Sequence, residues 1–115
     1  MKVCKRLSLC LVLLAFLPVH ALYAAQSVRF LTAGDLYLKF SSERLEDQLV
    51  GQHYLMGVLD GLALAKDPRL CIGTSLQINE LVVIVRQQLV SRPDVHRFNA
   101  ASVVREALIQ KFPCA

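Results

Sequence analysis

Beyond residue 31 the apolar residues recur at intervals of three and four, the spacing that lines one side of an α-helix. Thr32, with Asp35 three positions later, supplies a capping side chain and a first-turn acid, so a first helix is expected to start there. Leu36 and Phe40, followed by Leu45, form its apolar stripe, and the polar stretch Ser41-Ser42-Glu43-Arg44 ends it. A second helix is expected from about Glu46 to Lys66, with Leu49, Met56, Leu59 and Ala63 on one side. Lys66-Asp67-Pro68 stops it, because proline restricts the residue before it and cannot continue a helix from inside. Gly57 and Gly61 fall four apart within this helix. Each costs about 1 kcal/mol relative to alanine, which is tolerable where another backbone packs close.

Thr74 and Gln77 have capping-box spacing, and the next helix should run to about Ser91 with Ile78, Leu81, Val82, Val85 and Leu89 buried. The apolar run Leu81–Val85 could also form a buried strand; its continuation through Arg86-Gln87-Gln88-Leu89 favours helix. Arg92-Pro93-Asp94 stops it. Asn99 is a good cap for a last helix whose apolar face is Ala100, Val103, Val104, Ala107 and Leu108, and Pro113 ends that helix just before Cys114. The expected fold is all-α, a single small bundle of about four helices.

Composition changes this picture at the N-terminus. The chain has 115 residues and a net charge of +4, but Lys2, Lys5 and Arg6 lie directly ahead of an apolar run from Leu7 to Val19. A basic start, a short apolar segment and the small residues Ala24-Ala25 have the form of a secretory signal peptide over residues 1–25. The other reading of that segment is an uncleaved membrane anchor. Cleavage leaves residues 26–115 with 10 basic and 9 acidic side chains, so the basic balance gives no reason to expect nucleic-acid binding. It also implies the periplasm, with no stable membrane anchor on the mature chain. In that oxidising compartment Cys71 and Cys114, the only cysteines left, should pair with each other. A free catalytic thiol is the alternative use of one of them.

Little else in the mature chain has a chemical signature. His53 and His96 are its only histidines, too few for a zinc site once the cysteines are paired. Ser75, Ser91 and Ser102 sit in no nucleophile motif, and Gly57 and Gly61 do not form a phosphate loop. No catalytic residue, metal or cofactor is expected. Elimination leaves a small exported helical domain that binds something.

Four stretches say more. Gly34-Asp35-Leu36-Tyr37 comes first, then Tyr54-Leu55-Met56-Gly57-Val58-Leu59-Asp60-Gly61, then Cys71, then Phe112-Pro113-Cys114. Their order and spacing resemble the Rap/Tai family of type VI secretion immunity proteins over about residues 33–114. The resemblance implies an exported helical protein that neutralises a cognate peptidoglycan amidase effector by blocking its active-site cleft, and it admits a homodimer. Family members commonly have a further cysteine pair, whose matching positions here are Phe40 and Gly51.

Tyr54, Gly57, Asp60 and Gly61 carry the family signature, and their simplest role is structural. The connection Ser91–Phe98 is the better candidate for contact with the effector, because it offers Arg92, Asp94, His96, Arg97 and Phe98 on a short proline-stiffened loop. The competing functional class is a small periplasmic chaperone or stress protein that binds unfolded clients through exposed apolar surface.

Overall fold

The computed structural model describes residues 30–115, so the signal-peptide reading of residues 1–25 lies outside the described residues. Among the described residues four α-helices form the expected all-α bundle: α1 (Ala33–Ser41), α2 (Leu45–Ala65), α3 (Ile78–Ser91) and α4 (Ala100–Lys111). A short 3-10 helix, Pro93–Arg97, joins α3 to α4. Leu36 and Phe40 of α1, Leu55 of α2, Leu81, Val85 and Leu89 of α3, and Ala100, Val104 and Leu108 of α4 make one buried cluster. Full burial of such side chains contributes about 1.5–3 kcal/mol each before chain entropy is counted.

The start of α1 is capped as the sequence implies. Thr32 Oγ1 accepts from the Asp35 amide at 3.1 Å, and the Asp35 carboxylate accepts from the Thr32 amide at 3.2 Å. Asn99 caps α4 by accepting from the Ser102 amide at 3.3 Å. The two caps lie side by side. The Ala33 N–H donates to the Phe98 carbonyl and the Ala100 N–H donates to the Leu31 carbonyl, both at 2.9 Å. Each helix thus has its first amide satisfied by the chain entering the other.

The second helix turns a different side inward from the one expected. Leu49 and Met56 are 41% and 49% exposed, Ala63 is exposed, and the buried residues are Gly51 and Leu55. Tyr54, Val58, Leu59 and Leu62 pack around them. Apolar residues surround most of this helix, so several stripes satisfy the same spacing and packing selects among them. The selecting contact is Phe40, whose ring lies against bare backbone at Gly51; a Cβ there would come within 2.8 Å of two ring carbons. Leu45, placed on the first stripe by spacing, instead opens α2 and is 67% exposed. Lys66 ends α2 in the left-handed conformation at φ 50°, one residue before the expected stop takes effect. Thr74 lies in a turn, and α3 begins three residues later than its spacing with Gln77 implied; Gln77 is the cap, its amide donating to Glu80 at 3.0 Å.

Cys71 and Cys114 form the disulfide expected from their count. It fastens the segment between α2 and α3 to the end of α4. The Cys71 amide donates to the Phe112 carbonyl at 2.9 Å, and the Cys114 amide donates to the Arg69 carbonyl at 3.2 Å. Asp67 braces the same region from below. Its side chain is 7% exposed, accepts from the Arg69 amide at 3.0 Å, and pairs with the guanidinium groups of Arg69 and Arg105.

The Arg69 amide and guanidinium, with Arg105 behind them, hold the Asp67 carboxyl down to a pKa of about 2, against 3.8 unperturbed. Its ionised form therefore stabilises the fold fully above pH 3.8, and that stability drains away as pH falls toward 2. Asp67→Asn should lower stability at neutral pH and flatten the acid limb in this window, as followed by circular dichroism; an unchanged acid limb would remove Asp67 from the account. For the disulfide, closing a loop of 43 positions corresponds to about 4 kcal/mol of chain entropy. Cys71→Ser should lower the denaturation midpoint accordingly, and mature protein (residues 26–115) unfolded without reductant should react with no thiol label.

Candidate functional site

Of the five residues expected to make contact on the α3–α4 connection, Arg92, Asp94, Arg97 and Phe98 are exposed and His96 is half-buried. Arg92 closes onto Asp94 through two hydrogen bonds of 3.0 and 2.8 Å, and this pairing holds the Asp94 carboxyl below its usual pKa. His96 turns inward. Its Nε2 meets the Leu89 carbonyl at 2.8 Å, one of the four carbonyls left open at the end of α3, and its ring lies 5.1 Å from that of Tyr37. Gly34 accommodates this, since a Cβ there would be 3.2 Å from both the His96 Cβ and its carbonyl oxygen. Arg97 and Phe98 remain outward, with the guanidinium 5.0 Å above the ring and Phe98 49% exposed.

Arg92 and Phe98 line one groove of about 480 Å³ between the end of α3, the 3-10 helix and α4. Val95 and Val103 give it apolar surface, while Gln88, Asn99 and Gln110 contribute amides. Val95 and Val103 were not singled out from the sequence as contact residues. Val103 was legible as an apolar position of α4; it is partly buried against the core and borders the groove.

The signature residues separate. Tyr54, Gly57 and Gly61 border a groove of about 530 Å³ between α2 and α4, together with His53, Ala101 and Arg105. Asp60 borders a different cavity, with Leu59, Lys66 and the disulfide-bound segment. Tyr54 packs against the buried cluster, and its partial burial raises its hydroxyl pKa, an effect the nearby Ala101 backbone partly offsets. The glycines do not mark a close helix crossing. Both are exposed, and nothing lies within 4 Å of a Cβ built on either one. Close approach occurs one turn and a half earlier, at Gly51. Among the described residues no three His, Cys, Asp or Glu side chains gather to hold a metal ion, and no helix is long and apolar enough to cross a membrane.

These positions give opposite signs for the same substitution. Gly57→Ala fills open space on an exposed helix and should raise stability by up to about 1 kcal/mol. Gly51→Ala drives a methyl into the buried Phe40 ring and should cost about 1–3 kcal/mol. Urea titration of the pair checks both, and destabilisation by Gly57→Ala would mean that the face of α2 is covered.

The model for Rap1a immunity proteins matches residues 32–114, from the cap of α1 to the second half-cystine. No curated protein matches the chain. The match spans all four helices and most of the sequence, and the chain belongs to the Rap1a immunity protein family.

Proposed function

We propose that this protein is exported and, in the periplasm, binds a cognate type VI secreted peptidoglycan amidase and inhibits it by covering its active-site cleft. The observation that supports this reading is the family match over residues 32–114. The molecule suits a binding role in which no bond is made or broken: it is a stapled helical scaffold with a fixed connection, and the outward Arg97–Phe98 pair stands on that connection. Inhibition follows from shape, since a rigid projection that fills a cleft excludes substrate without chemistry of its own.

A second reading has one feature in its favour. Leu45, Leu49, Val50, Met56 and Leu64 leave α2 with exposed apolar side chains, as a chaperone for unfolded clients would. The same face could serve a homodimer.

Expression with the signal peptide should protect cells against a cognate amidase when that enzyme is directed to the periplasm. Expression without residues 1–25 should fail, because the wall being cut lies outside the inner membrane. Purified protein should inhibit the enzyme at one defined stoichiometry. Protection that does not depend on export would sink the proposal. Failure to inhibit, combined with suppression of aggregation of many unfolded proteins, would establish the chaperone instead.

A further inference from the structure

Charged groups around the α3–α4 connection fall into two kinds. Arg92 is satisfied by Asp94, and Arg105 by Asp67 and Glu106. Arg97 makes no ion pair with a described residue; Asp94 feels its charge only weakly, after that of Arg92. Its guanidinium instead lies over Phe98, an arrangement that uses the flat face and leaves the N–H edge for another acceptor. The ring beneath is half exposed and borders the groove that has Val95 and Val103 as apolar surface.

The backbone beneath this pair is fixed. The Phe98 amide donates to the Val95 carbonyl at 3.0 Å, and the Phe98 carbonyl accepts the first amide of α1 at 2.9 Å. An aromatic ring and a stacked guanidinium held this way lose little conformational freedom on binding, which is the usual character of an interface anchor. The flanking charges give a direction. Arg92 and Glu106 line the groove with their charges already met by Asp94 and Arg105, so among the described residues Arg97 beside it is the cation left to attract a partner's acid.

We infer that the groove beside Phe98 receives an apolar side chain of the partner protein flanked by a carboxylate, which pairs with Arg97. This deepens the proposed immunity role and rests on it. Arg92, although equally exposed to view in the sequence, is spent within the chain.

The test uses the mature, oxidised protein and a cognate peptidoglycan amidase, titrated calorimetrically at low and high salt. Phe98→Ala and Arg97→Gln should each weaken binding at least about tenfold with melting temperature unchanged. Arg97→Lys should recover part of the loss, and Arg86→Gln, a charge-matched change on the outside of α3, should have no effect. Arg97→Gln should also flatten the salt dependence of binding. If Phe98→Ala and Arg97→Gln both inhibit as tightly as the parent, this inference is overturned and the immunity role stands. Loss in Phe98→Ala alone overturns the carboxylate. If the parent protein neither binds nor inhibits the enzyme, the immunity role fails and takes the inference with it.

Discussion

The first amides of α1 and α4 are exchanged between the two helices, Ala33 to the Phe98 carbonyl and Ala100 to the Leu31 carbonyl. Helix starts leave donors without intrahelical partners, and burying such donors unpaired costs about 1–3 kcal/mol each. Here two helix starts solve the problem for each other, which forces them to lie abreast. Two positive dipole ends are thereby brought close, and the Asp35 carboxylate in the first turn of α1 offsets part of the repulsion. With the starts aligned, Leu36 and Phe40 descend on one side, and Val104 and Leu108 on the other, into the same buried cluster. Tyr37 and Gly34 face the connection that enters α4 and seat His96. The position of Phe98 is a by-product of this exchange.

The hold on α2 is of another kind. It is attached to α1 by a ring against a glycine, by the Lys39–Asp47 pair at 2.5 Å, and by Ser42 donating to Asp47 at 2.9 Å. Phe40 and Gly51, the positions that the resemblance matches to a further cysteine pair, lie against each other in this chain. A large ring fitted to a missing side chain closes the same gap through packing rather than a covalent bond. Such a contact orients α2 with one side only, so Leu45, Leu49, Val50, Met56 and Leu64 stay exposed. Gly57 and Gly61 lie on that uncovered part, and their helix cost is not recovered by any described contact.

Elements whose ends are marked by local chemistry were legible in the sequence. Thr32, Asn99 and the Cys71–Cys114 pair act over a few positions or by simple count, and each stands where it was expected. The inward stripes of α3 and α4 were also legible, because each helix has a polar side against which the apolar side stands out. In α2 that contrast is missing, and the orientation depends on Phe40, eleven residues away in the chain from Gly51. The same limit applies to the candidate loop. Arg92, His96 and Arg97 look alike as polar residues on a connection, and only the positions of Asp94, the open end of α3 and Phe98 distinguish them.

The two ends of α4 therefore have separate roles. At its start the exchanged amides fix Phe98 beside a groove; at its far end the disulfide and the Asp67 network tie down the segment that follows α2. Twelve helical residues, about 18 Å at 1.5 Å per residue, lie between them. The disulfide thus acts on the persistence of the fold and leaves the shape of the groove to the backbone at the other end. That separation lets the staple be strong without straining the surface at the start of α4.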